Sequence, residues 1–121
     1  LREAITSLQA AFFVEKRGKE KRVTSMAVYF VLDIEKVIDP QKIGEYGQRG
    51  GATREQYGVR TVVLGGASEM IEGGWQPQGT VIFEFDDEAH FKRWYNSPEY
   101  QEILPLRLES TVSRSILVQG V

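Results

Sequence analysis

The chain contains no cysteine in its 121 residues. Disulfide staples, thiolate metal sites and thiol nucleophiles are thereby excluded, and a reducing, cytoplasmic setting is expected. Histidine is almost as scarce, with His90 the single example. Long apolar runs are missing as well. None reaches the roughly 18 residues a membrane helix requires, so no membrane partner is expected. The first apolar stretch, Ala10–Val14, is short and has no basic lead-in, unlike a secretory signal. What is present is an ordinary globular composition, 41% hydrophobic and 26% charged, long enough for one domain with a real core.

The net charge of −2 conceals an asymmetry. Residues 1–25 carry six Lys/Arg against three Glu, a balance of +3, which leaves −5 on the remainder. An acidic body repels phosphate backbones, so no nucleic acid partner is expected. The basic run Lys16–Arg22 reads as a solvated linker. Ahead of it, Leu1, Ala4, Ile5, Leu8, Ala11 and Phe12 recur at helical spacing and predict an extra N-terminal helix. Met26 stands directly before the first strand and looks like a natural initiator. Residues 1–25 are accordingly set apart from a body at 26–121, with three origins open: a true extension, an over-long gene assignment, or sequence added for expression.

Within the body, Ala27–Leu32 is a β-prone apolar run and predicts the first strand. Asp39-Pro40 supplies a capping carboxylate and a proline suited to the first helical position. The helix that follows, with Ile43 and Tyr46 inward, runs to about Tyr57-Gly58, unless it breaks at Gly50-Gly51. Its glycines imply close helix–sheet contact. Arg60–Leu64 predicts the second strand, with a bulge or bend at Gly65-Gly66, pairing resumed at Glu69–Glu72 and a turn at Gly73-Gly74. Thr80–Phe85 is the third strand, Asp86 is expected to cap the next helix, and Phe91, Trp94 and Tyr95 are expected to face inward. Ser97-Pro98 breaks and restarts the chain into a segment carrying Tyr100, Ile103, Leu104 and Leu108. Ser115–Val118 is the fourth strand. The order β-α-β-β-α-β is the α+β, ferredoxin-like arrangement.

Alternation along the strands sets Val28, Phe30 and Leu32 against Tyr29 and Val31, and Val81, Phe83 and Phe85 against Ile82. A sheet with helices on one face ordinarily shows polar residues on the other. Here Tyr29, Val31, Ile82 and Leu117 are expected to need cover, and the simplest cover is the same face of a second copy.

The element Trp94-Tyr95-Asn96-Ser97-Pro98-Glu99-Tyr100-Gln101 is the most distinctive in the chain. Together with Tyr29, Asp39-Pro40, Tyr46, Gly58, Gly65-Gly66, Glu72-Gly73-Gly74-Trp75, Pro77, Phe83-Glu84-Phe85, Arg107 and Gly120-Val121, it resembles the DUF1330 family over residues 26–121. Val59 and Leu64 depart from the pattern, which often has glycine and arginine there. The resemblance implies a homodimer built as a dimeric α+β barrel. Its wider superfamily is similar to cofactor-free monooxygenases, haem-handling enzymes and muconolactone-type isomerases, with a small-molecule pocket between sheet and helices. No cofactor is implied.

Several residues are candidates for chemistry in such a pocket. His90, on the same helix face as Trp94, is either the acid–base group or a helix residue packing on that indole. Arg60 and Arg107 are either a clamp for a carboxylate or partners of the body's acidic residues. Tyr29, Tyr46, Tyr100 and Trp94 are either lining for a small aromatic ligand or core and interface aromatics. Trp75 suggests a dimer contact or a lid. Glu69 and Glu72 lack the company a metal site needs, so no metal is expected. Strand three lacks the basic start and central stacking aromatics of an RNA-recognition motif. A small-molecule enzyme and a non-catalytic binding or structural dimer remain as the two readings.

Overall fold

The computed structural model describes residues 26–121. The helix and linker expected at 1–25 lie outside them. The elements are β1 (Val28–Val37), α1 (Pro40–Gln56), β2 (Arg60–Leu64), β3 (Gly79–Phe85), α2 (Glu88–Tyr95), α3 (Pro98–Ser110) and β4 (Thr111–Gln119). The strands form one antiparallel sheet in the order β2-β3-β1-β4. With α2 and α3 acting as one interrupted helical segment, this is the ferredoxin-like α+β order expected from the sequence.

Both outer strands of the chain are longer than their apolar runs. β1 continues past Leu32 through Asp33 and Glu35, and β4 begins at Thr111 rather than Ser115. The reason is a cross-strand ion pair. Asp33 stands opposite Arg114, whose Nε donates to Asp33 Oδ2 at 3.0 Å while Nη1 reaches Glu35 Oε1 at 3.2 Å. Opposite charges directly across a ladder stabilise polar residues in a strand. The expected pairing of Glu69–Glu72 does not occur: that segment is an irregular loop, and β2 ends where Gly65 turns left-handed at φ +66. The irregularity in the β2–β3 register falls between Thr61 and Val63, not at Gly65-Gly66.

α1 starts as its sequence predicts, with Asp39 Oδ1 accepting the N–H groups of Gln41 and Lys42. It runs through Gly50-Gly51 without a break. Its end is fixed by Gly58 in the left-handed region, with Gly58 N–H donating to the Glu55 carbonyl and Val59 N–H to that of Arg54. These two bonds satisfy carbonyls that the helix would otherwise leave open. α2 is capped by Asp87, not Asp86: Asp87 Oδ1 accepts His90 N–H at 2.8 Å. Asp86 instead pairs with Arg60 at 2.8 Å. At the Ser97-Pro98 joint, Ser97 Oγ accepts Tyr100 N–H and donates to the Trp94 carbonyl at 2.7 Å, so one hydroxyl ends α2 and begins α3.

The core lies between the helices and one sheet face. It contains Val28, Phe30, Leu32, Val81, Phe83 and Phe85 from the sheet, met by Tyr46, Trp94, Tyr100, Ile103 and Leu104. Leu108, expected among them, is exposed. On the opposite face, register places Val31 beside Ile82 and Ile116, and Tyr29 beside Glu84 and Val118. Leu117 pairs with Phe30 and so belongs to the helix side, correcting its expected place on the open face. Ile116 and Val118 take that place and are 62% and 44% exposed.

Candidate functional site

Between α1 and the β1-β3-β2 half of the sheet is a cavity of about 270 Å³. Leu32, Ile34, Val81, Phe83 and Leu64 form its sheet wall, and Ile43, Tyr46, Gly47 and Arg54 come from α1. The α1 residues at 43, 46, 47, 50 and 54 share a face because helical neighbours fall three and four apart. Nearly all of the lining is apolar. Its one charge is Arg54, which is only 9% exposed. The Arg54 guanidinium carbon sits 4.5 Å from the centroid of the Phe83 ring, an orientation favourable for cation–π attraction. Among the described residues no carboxylate lies within ion-pair distance of it.

The glycines of α1 explain how a guanidinium fits here. A Cβ at Gly50 would stand 3.2 Å from Arg54 Nη1, and one at Gly51 would stand 3.7 Å from Nη2. Gly44 and Gly47 are different. A Cβ at either would meet nothing within 4 Å, so the close helix–sheet contact expected of these glycines is absent at both.

Behind the cavity the Tyr46 and Tyr100 hydroxyls share a buried hydrogen bond of 2.7 Å. Burial raises the Tyr100 pKa well above its ordinary value, with Tyr46 adding to the effect, so this hydroxyl stays protonated. Arg107 is 3% exposed, with its guanidinium carbon 5.8 Å from the Tyr46 ring centre. Its Nη1 donates to Ser113 Oγ at 3.3 Å, and its Nε has no partner. Burial alone would pull Arg107 down in pKa, but the Tyr100 and Tyr46 hydroxyls outweigh it. Arg54 is pulled below the usual guanidine value, chiefly by burial. Two buried cations thus share one layer. Among the described residues the one buried carboxylate is Asp33, held against Arg114 on the opposite face.

The sequence-level candidates divide between the faces. Tyr46, Tyr100, Trp94 and Arg107 lie together on the helix side. Tyr46 alone of these lines the cavity. Trp94 is fully buried, its Nε1 donating to Thr53 Oγ1 at 3.0 Å and its ring centre 4.1 Å from that of Tyr100. Tyr29 and Arg60 lie away from the cavity, where Tyr29 Oη donates to Glu84 Oε2 and Arg60 Nε to Glu84 Oε1, each at 2.7 Å. Arg60 is the largest influence lowering the Glu84 pKa, followed by the Tyr29 hydroxyl.

His90 does not line the cavity. It is 4% exposed, its Nδ1 accepts Asp86 N–H at 3.0 Å, and its Nε2 lies 2.6 Å from the Tyr57 carbonyl. An acceptor role at Nδ1 and a carbonyl at Nε2 require the neutral tautomer protonated at Nε2. The ring therefore ties the start of α2 to the end of α1. Arg54 escaped sequence reasoning, although a signal existed: Gly50-Gly51 followed within one helical turn by an arginine. Among the described residues no cluster of His, Asp and Glu is placed to hold a metal ion, and no helix is long and apolar enough to cross a membrane.

The fold is shared with several solved structures of low sequence identity. One is a protein of unknown function from Rhodopseudomonas palustris, similar at TM-score 0.66 and 19% identity over 92% of each chain. Another is a dimeric ferredoxin-like protein of unknown function from Thermobifida fusca YX, at TM-score 0.57 and 10% identity over 80% of this chain and 93% of that one. No curated protein matches the chain. The family model of the domain of unknown function DUF1330 matches residues 27–121, and the chain belongs to that family.

Proposed function

We propose that the protein is a small-molecule-binding homodimer whose ligand occupies the cavity between α1 and the sheet. The cavity itself carries this reading. A largely apolar recess of about 270 Å³ with one charged group in its wall has the makeup of a site for a compact ligand, near the lower end of the usual ~300–1,000 Å³ range. The lining favours binding over catalysis. Among the described residues its only titratable side chains are Tyr46 and Arg54, and His90 has both ring nitrogens committed to main-chain groups elsewhere. A proton-transfer role for His90 would first require those two bonds to open.

The test is occupancy. Ligand-observed NMR with a panel of compact aromatic and branched aliphatic molecules is expected to give saturation-transfer signals that vanish in Gly47→Leu. That substitution adds a side chain at a lining position where a Cβ meets no neighbour. Signals that persist in a folded Gly47→Leu variant place the ligand elsewhere.

The homodimer reading rests on the open sheet face. Val31 and Ile82 are half-buried in the single chain, Ile116 and Val118 are exposed, and Trp75 lines a shallow groove beside Val31 and Ile116. Packing this face against its own copy buries the apolar stripe and produces the dimeric α+β barrel. The Thermobifida fusca structure of similar fold is described as dimeric.

A further inference from the structure

We infer that the ligand is a monocarboxylate on a compact apolar body, with its carboxylate held by Arg54. This rests on the cavity being the binding site and adds the chemical class of its occupant.

Three independent observations converge. The first is electrostatic. Arg54 is a buried cation in the cavity wall, facing no carboxylate among the described residues. A charge taken out of water without a counter-charge is costly, and an isolated one is retained only where something offsets it. The Phe83 face supplies part of that offset, and an anion in the cavity would supply the rest.

The second is steric. Space for the guanidinium is kept open by glycine at position 50, where a Cβ would stand 3.2 Å from Nη1, in a helix where each glycine weakens the backbone. An apolar side chain at 54 would pack in the same wall without demanding that space.

The third is the character of the remaining lining. Leu32, Ile34, Ile43, Val81 and Phe83 offer no second charge and no pair of donors for a sugar, a phosphate ester or a dicarboxylate. One planar, bidentate donor beside an apolar wall is complementary to one carboxylate on an apolar body. Tyr46 also lines the wall, with its hydroxyl hydrogen-bonded to that of Tyr100.

Phenylacetate and its uncharged counterpart phenylacetamide separate the possibilities when titrated calorimetrically into the full chain. Phenylacetate is expected to bind about ten- to hundredfold more tightly than the amide, the range for a charge-assisted pair. Arg54→Met is expected to erase that preference. If acid and amide bind the unaltered protein equally, the cavity reading stands and the carboxylate inference is overturned. If neither binds, both are overturned. A preference for the acid that survives in folded Arg54→Met, with Arg60→Met or Arg107→Met abolishing it, assigns the anion to another arginine and also overturns the inference. The acid–amide comparison on the unaltered chain tests the carboxylate preference without any variant, and Arg60→Met and Arg107→Met, which should keep that preference, test its assignment independently of how well Arg54→Met folds.

Discussion

At the scale of single residues, this protein uses its rarer side chains as fasteners. His90 is the clearest case, joining α2 to the end of α1 through one accepted and one donated hydrogen bond. Replacing it with phenylalanine keeps an aromatic ring and removes both bonds, leaving the Tyr57 carbonyl and the Asp86 N–H without this partner. A loss of about 1–3 kcal/mol is expected by urea denaturation. A loss below a few tenths would show that water serves those groups equally well. Arg60 permits a pH test. It holds the Glu84 pKa below its ordinary value, so this pair stabilises the fold above the unfolded carboxylate pKa of about 4.3. That stability disappears as pH falls through the depressed folded value. Arg60→Met should therefore lose less stability than the parent between pH 6 and pH 3. Arg60 is half exposed, so the difference is modest, on the order of 0.5 kcal/mol at low salt. Equal acid losses in parent and variant would sink the assignment.

At the scale of elements, α1 combines two kinds of glycine that look alike in sequence. Gly50 gives room to a guanidinium, whereas Gly44 and Gly47 adjoin open space. Gly44→Ala and Gly47→Ala should each raise stability by about 0.5–1 kcal/mol through helix propensity alone. Thermal unfolding checks this, and a decrease at either position would reveal a contact the geometry does not show. The same helix marks the limit of what the sequence disclosed. Its cap at Asp39-Pro40, its end at Gly58 and its inward Tyr46 were legible, because each depends on chemistry within a few residues. Whether Gly50-Gly51 broke the helix was not, because Gly50 is buried and its support comes from packing outside the local sequence. The strands divide in the same way. Apolar alternation located all four and sorted most of their faces. The polar halves of β1 and β4 stayed hidden because the Asp33–Arg114 pair joins positions far apart in the chain. A reading centred on tyrosines and on arginines near distinctive motifs likewise passed over Arg54, which no motif flags.

At the scale of the whole molecule, the open sheet face is the surface on which the proposed dimer is tested. Ile116 stands opposite Val31 at the middle of that face and is 62% exposed in one chain, so a charge there costs the single subunit little. In a dimer packed through this face the same charge is buried without a partner. Light scattering at micromolar concentration should give twice the chain mass for the parent and a single chain mass for Ile116→Lys. A monomeric parent would overturn the dimer. The order β2-β3-β1-β4 has a further consequence, for the growing polypeptide. β1 is the first strand of the body to be made, and one of its two neighbours, β4, is the last. Until Thr111–Gln119 leaves the ribosome, β1 presents an unpaired edge running from Val28 to Val37. Within this domain the sheet is closed by the strand made last, so β1 depends on β4 to protect its edge.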